Sequence, residues 1–315
     1  MLAVVTAEWT QGGTGRLEAL GYEVRRVGWG LTRQVLPREQ LIEVARGASL
    51  LLTEIEAVDE QVLGALPRLR LVGTARGGPV NVDLPGCRAR GIPVLFTPAR
   101  NAESVADFTV GLVLSLTRGL PAADAHLRAD GWHVAGELPY LHFRGPELGR
   151  LTVGVVGHGA CGSRVARRLR EGFGSTVLVS DPAVAGSLSL EELADRCDVL
   201  TLHCPRSPAT TGLVGADLLA RLRPSSYVVN TAGGGIVDED ALCDALDAGR
   251  LCGAALDCFA TEPLPRDSRL LRTRGLLLTP HLAGAALDVV GHHTDMLVGD
   301  VERWHRGDPL VHRAV

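Results

Sequence analysis

The stretch Thr152-Val153-Gly154-Val155-Val156-Gly157-His158-Gly159-Ala160-Cys161-Gly162 decides the fold of this 315-residue chain. Its first half is rich in β-branched residues and reads as a strand. Its second half, Gly157-x-Gly159-x-x-Gly162, runs into a helical stretch over 163–170. Strand, glycine turn and helix in that order make a phosphate cradle. Gly157 permits the tight turn, Gly159 lets backbone amides approach a pyrophosphate, and Gly162 lets the helix lie close to the strand. The helix N-terminus adds free N–H groups and a partial positive charge. A second strand over 176–180 ends at Asp181, 19 residues beyond Gly162. A carboxylate there can bond both ribose hydroxyls of a dinucleotide. Asp181 is followed by Pro182, with no adjacent arginine to receive a 2′-phosphate, so NAD is expected rather than NADP. Ala160 and Cys161 lie in the same loop and are expected to meet the cofactor through their backbone.

Outward from this stretch, short apolar runs alternate with amphipathic ones. Strands are expected over 1–5, 23–27, 49–53, 69–74 and 93–96, and helices over 15–21 and 37–46, the latter with Pro37 at its start and Gly47 as its stop. Such alternation predicts a parallel sheet with helices on both faces. Residues 101–118 fit a long helix buried on most sides. Residues 131–150, rich in glycine, proline and aromatics, read as an ordered loop. A second α/β series runs from 151 to about 281. The helical stretch 286–305 has no strand beside it and is expected to pack back on the first domain. The fold class expected is α/β with two doubly wound parallel-sheet domains. A Rossmann-type cofactor domain, 100–284, is inserted into a flavodoxin-like substrate-binding domain, 1–99 plus 285–315.

Composition narrows the function classes. The net charge is −4, and all 32 basic residues are scattered arginines. This argues against a nucleic-acid binder, which would carry a basic stripe. No apolar run approaches the ~18 residues of a membrane span. The first residues lack the basic and apolar regions of a signal peptide, so a cytoplasmic location is expected. Seven cysteines without a C-x-x-C pair argue against a disulfide framework or a zinc motif, and no metal is expected.

Further motifs follow in order: Gly78-Pro79-Val80-Asn81-Val82-Asp83, Gly91-Ile92-Pro93-Val94, 101–107, His203-Cys204-Pro205, Asn230-Thr231-Ala232-Gly233-Gly234-Gly235, Asp257, Glu262-Pro263, and Thr279-Pro280-His281-Leu282-Ala283-Gly284. With these motifs, over nearly its whole length, the chain resembles the D-isomer-specific 2-hydroxyacid dehydrogenases. The resemblance implies NAD-dependent interconversion of a small D-2-hydroxy acid and its 2-oxo acid, and a homodimer. Hydride transfer to a carbonyl needs a partner that exchanges a proton with the oxygen, and histidine suits this near neutral pH. The resemblance assigns that role to His281, with Glu262 as its carboxylate partner. It implies cofactor contacts at His203, Cys204, Pro205, Thr231, Ala232, Gly233, Ala283 and Gly284. Asp257 would bond the nicotinamide amide.

One position departs from the family. It normally has an arginine at 233, which grips the substrate carboxylate through two parallel bonds. Glycine cannot do this. Arg76, beside Gly77 and Gly78 in a glycine loop, is the first candidate for a replacement cation, and Arg206 and Arg266 are weaker ones. Two alternatives stay open: a phosphonate or phosphorylated hydroxy acid held by Arg76, or an NAD-sensing protein without turnover.

Overall fold

The computed structural model describes residues 1–134 and 136–315. The chain divides into two compact units. One comprises Met1–Asn101 with Ala286–Val315, the other Ala102–Ala285.

The first unit holds five strands: β1 (Leu2–Val5), β2 (Glu23–Arg26), β3 (Ala48–Thr53), β4 (Leu71–Thr74) and β5 (Val94–Leu95). All pair in parallel, in the order β2-β1-β3-β4-β5. This is the flavodoxin-like order. β3 and β4 are buried almost throughout, as continuous apolar runs in a doubly covered sheet must be. One face packs Leu51, Val72 and Val94 with Leu41 and Val62. The other packs Val5, Leu50 and Leu52 with Leu297, Val298 and Val301 of the C-terminal helix Asp288–Arg306.

The first helix spans Gln11–Ala19, not 15–21, because the Thr10 hydroxyl caps it by accepting from Gly13 N. Its glycines hide it from propensity reasoning. Gly13 is required there, since a Cβ would lie 2.2 Å from Thr294 Cγ2 on the C-terminal helix.

The second unit holds six parallel strands: β6 (Thr152–Val156), β7 (Thr176–Ser180), β8 (Val199–Leu202), β9 (Tyr227–Asn230), β10 (Gly253–Leu256) and β11 (Leu276–Leu278). Their order is β11-β10-β9-β8-β6-β7, so the winding reverses between β6 and β8. Ligands of open α/β sheets collect at the carboxyl edge beside such a reversal. The helix Ala102–Thr117 covers one face, packing Ala106, Val110 and Val113 with Val153, Val155 and Val229.

A helix at Leu120–Asp130 goes beyond the sequence expectation. None of its residues is buried, so the sequence carries little apolar periodicity there. The stretch expected as loop, 131–150, contains a short helix at Pro139–His142 and a 3-10 turn at Leu148–Arg150; residue 135 within it lies outside the described residues. The fingerprint helix runs Ala160–Arg167, starting earlier than the sequence suggests.

Side-chain bonds fix that helix. Arg164 Nε donates to Glu103 Oε1 (2.5 Å), while Arg168 donates to Glu103 Oε2 (2.6 Å) and Asp107 Oδ1 (2.7 Å). The Arg168 and Arg164 guanidiniums hold the Glu103 carboxyl down to about 2.

Among the described residues, no single helix is long and apolar enough to cross a membrane. The bent pair Ala102–Thr117 and Leu120–Asp130 reaches that length and composition together, but much of its first member is core of the second unit.

Candidate active site

The three fingerprint glycines have separable physical roles. Gly157 follows β6 at φ +86°, and a Cβ there would lie 2.6 Å from Cys204 N. A Cβ at Gly162 would lie 1.9 Å from Gly157 O, so helix and turn touch only because Gly162 is bare. At Gly159 nothing lies within 4 Å of the Cβ position, which leaves the approach to the helix start open.

Beside them, at the carboxyl edge of β6, β7 and β8, is a cavity of about 800 Å³. Among the described residues its lining includes Gly157, Gly159, Asp181, Leu188, His203 and Pro205, and no arginine. Asp181 accepts from His158 N (2.6 Å) and Ala183 N (2.8 Å). These two backbone bonds, His158 first, hold its carboxyl below the usual aspartate range. The His203 ring is pushed down to about 3 by burial and is neutral. Its Nε2 pairs with Thr201 Oγ1 at 2.9 Å, and its buried Nδ1 has no partner among the described residues. An open helix start, an ionised carboxylate and an unpartnered ring nitrogen fit a dinucleotide with free ribose hydroxyls. Burial pushes the Cys161 and Cys204 thiols up, so these residues offer backbone rather than thiolate.

At the end of β9 the buried Asn230 shapes the triple-glycine turn. Its Nδ2 donates to Gly233 O (2.9 Å), and its Oδ1 accepts from Ala232 N (3.0 Å) and Gly233 N (3.4 Å). The Thr231 hydroxyl shares a hydrogen bond with Thr109 Oγ1 at 2.8 Å, which anchors the turn to the helix Ala102–Thr117.

The three glycines are not equivalent. A Cβ at Gly234 would lie 1.7 Å from Phe259 O, and Gly235 sits at φ +79°. Both positions demand glycine. Gly233 has no positive φ, and a Cβ there would meet only Arg206 Cβ at 3.3 Å and Ile236 Cδ1 at 3.6 Å.

The turn after β11 is built by Asp257, which is fully buried at the end of β10. Its carboxylate accepts from Thr279 Oγ1 (2.6 Å), Leu282 N (2.7 Å) and Ala283 N (2.8 Å). These bonds organise the turn 279–283. Ala283 is buried and its carbonyl accepts from Ser104 Oγ (2.7 Å), with Gly284 next to it.

The turn forces His281 to φ +56°, a left-handed conformation uncommon for a non-glycine residue. Such strain, costing on the order of 1–3 kcal/mol, tends to persist at functional positions. His281 N donates to Asp257 O (2.9 Å), and the side chain is largely exposed. Its Nδ1 pairs with Glu262 Oε2 at 2.8 Å. Glu262 Oε1 accepts from Phe259 N at 2.9 Å. Burial raises the Glu262 carboxyl, but the Phe259 N–H, His281 and the nearby Arg206 charge outweigh it and hold the group below its ordinary value.

Two neighbours of this pair gain weight from the structure. Cys258, to which sequence reasoning gives no role, has its Sγ 3.9 Å from His281 Nε2. Arg206, a weaker candidate cation in the sequence, stands close enough to act on Glu262. No local motif announces either, since both are brought in by separate strand ends.

Arg76, Gly77 and Gly78 belong to the first unit. Arg76 is half-buried and reaches Glu54 O at 3.5 Å, while its carbonyl accepts from Thr97 N (2.9 Å). The Cβ positions of Gly77 and Gly78 meet nothing within 4 Å.

Comparison with known proteins gives a concordant set of matches. Residues 110–283 match the family model described as D-isomer specific 2-hydroxyacid dehydrogenase, NAD binding domain. YoaD of Bacillus subtilis (strain 168) is 33% identical over 314 residues, covering 96% of this chain and 91% of that protein. The D-3-phosphoglycerate dehydrogenase of Mycobacterium tuberculosis (strain H37Rv) is 38% identical over 257 residues, covering 79% of this chain and 47% of that longer protein. Among solved structures, the TT0316 protein from Thermus thermophilus superposes with a TM-score of 0.82 at 31% identity, covering 100% of both chains.

Proposed function

This chain belongs to the D-isomer-specific 2-hydroxyacid dehydrogenase family, and from that premise we propose that it interconverts a small D-2-hydroxy acid and its 2-oxo acid with NAD, His281 exchanging the proton. The observation that carries this is the 2.8 Å bond between His281 Nδ1 and Glu262 Oε2 on a strained turn. With Nδ1 held by the carboxylate, Nε2 is the atom that gives a proton to the carbonyl oxygen in reduction and takes it from the hydroxyl in oxidation. Glu262 stabilises the imidazolium and orients the ring, the part an acidic residue plays in other triads. NAD, when bound, supplies or accepts the hydride at the substrate carbon. Gly157, Gly159, Ala160 and Gly162 would hold its pyrophosphate, and Asp181 its ribose. Cavity walls without arginine favour NAD over its 2′-phosphorylated form.

The substrate is an anion and needs a cation. Arg206 meets that need from within the second unit, because its Cβ lies 3.3 Å from where a side chain at 233 would begin. Arg76 remains the candidate from the first unit, with Gly77 and Gly78 offering backbone N–H groups.

Mixing the protein with NADH and a panel of 2-oxo acids, with and without a phosphate or phosphonate group, tests the reading. Loss of NADH absorbance with at least one acid is expected, and a weaker response with NADPH. Tight NADH binding without turnover on any acid would sink it and favour a sensor.

We further infer a homodimer. Leu120, Leu127, Trp132, Leu138, Tyr140 and Leu141 are all exposed, six large apolar side chains within 22 residues. Such a concentration on one segment suits contact with a second copy. Sedimentation velocity should give twice the 33.3 kDa chain mass. Replacing Trp132 and Tyr140 together by aspartate should halve it, and an unchanged mass would place the contact elsewhere.

A further inference from the structure

We propose that Cys258 and His281 form a binding site for a soft divalent cation such as Zn²⁺, built onto the proton-exchange position. The sequence contains no metal motif, because Cys258 and His281 lie 23 residues apart at the ends of different strands. The fold brings them together. Donor atoms of Cys258, Glu262 and His281 lie within 4.8 Å of one another. Cys258 Sγ and His281 Nε2 are 3.9 Å apart. Zinc takes thiolate at about 2.3 Å and imidazole at about 2.0–2.1 Å, so a tetrahedral S–Zn–N edge spans roughly 3.5 Å. A shift of a few tenths of an ångström closes the difference.

The third member is already where such sites need it. Glu262 Oε2 lies 2.8 Å from His281 Nδ1, and a carboxylate there fixes the tautomer that leaves Nε2 as ligand. Sulfur and imidazole together select zinc-like ions over magnesium or calcium. Two protein ligands leave coordination positions to water or to the oxygens of a 2-oxo acid. Burial, with the Asp257 and Glu262 carboxylates, pushes the free Cys258 thiol up to about 12, so the ion itself must displace its proton. A bound ion also occupies Nε2, so ion binding and proton exchange exclude each other. That last consequence rests on the proposed role of His281; the binding itself does not.

Cobalt separates the two. Co²⁺ titrated into the full-length protein should give a thiolate charge-transfer band at one equivalent, displaced by Zn²⁺. The band should vanish in Cys258→Ala and in the closer-fitting Cys258→Val. It should persist in Cys252→Ser, which removes the exposed thiol. NADH binding by each variant shows that it has folded. In parallel, the Zn²⁺ concentration that halves turnover should rise at least about tenfold in the Cys258 variants, each measured against its own uninhibited rate. Absence of the band in the wild type, or its persistence in both folded Cys258 variants, overturns the site. A Cys258-dependent band without inhibition upholds the site and instead removes His281 from proton exchange.

Discussion

Replacing His281 by asparagine is expected to lower kcat by about 10²–10⁴-fold, the usual contribution of a positioned acid–base group. NADH affinity should change little, because the dinucleotide cavity beside β6, β7 and β8 is lined by other residues. Glu262→Gln should cost less. A glutamine oxygen can still accept from Nδ1–H and keep the ring oriented, but it no longer opposes the imidazolium charge. The loss should therefore appear in kcat, with KM little changed. In the wild type, Glu262 is held below its ordinary value and so stays charged through the neutral range. Stopped-flow and steady-state measurements check both variants. Wild-type turnover in His281→Asn would discard the mechanism, while wild-type kcat in Glu262→Gln would leave Glu262 only the anchoring bond to Phe259 N.

The second large effect concerns the substrate cation. Arg206→Ala is expected to raise KM for the 2-oxo acid by roughly 10- to 100-fold, the loss of about 1.5–3 kcal/mol for a hydrogen bond to a charged group. Arg206→Lys should recover part of this, because it keeps the charge but not the paired geometry. The decisive variant combines Arg206→Ala with Gly233→Arg. Position 233 has no positive φ, and its nearest obstruction is Arg206 Cβ itself at 3.3 Å, so an arginine there can grow into the region that residue 206 serves. Restored KM in the double variant is the expected result. Gly233→Arg alone should gain less, since two guanidiniums would crowd and repel. If Arg206→Ala leaves KM unchanged, the cation comes from elsewhere, and Arg76→Ala becomes the variant to measure. A parallel change at 234 is expected to disrupt folding, because any side chain there runs into Phe259 O.

Much of this architecture is legible in the chain. The β-branched run 152–156, the three spaced glycines and Asp181 specify a local object: strand, turn, helix and second strand. Backbone conformation and near-neighbour sterics determine such objects, so residue types at fixed spacing suffice. The pair proposed to exchange the proton is legible only through resemblance, because Glu262 and His281 carry no local signature of contact. The helices at Gln11–Ala19 and Leu120–Asp130 escape sequence reasoning, in whole or in part, for a related reason. One is rich in glycines, of which Gly13 is required by packing on Thr294, and the other has no buried face.

The sequence by itself determined the fold class and the cofactor cradle, because these depend on periodicity and on short motifs whose parts are adjacent in the chain; the kind of chemistry it gave only through family resemblance. Tertiary structure alone decided the rest. It showed that Asp257 organises the turn that strains His281, and that of three consecutive glycines only Gly233 is free to carry a side chain. It also brought Arg206 and Cys258 to the Glu262–His281 pair. Each of these depends on atoms from separate strand ends meeting at one sheet edge, where distances of a few ångströms set charge, strain and reactivity, and no spacing along the chain encodes them.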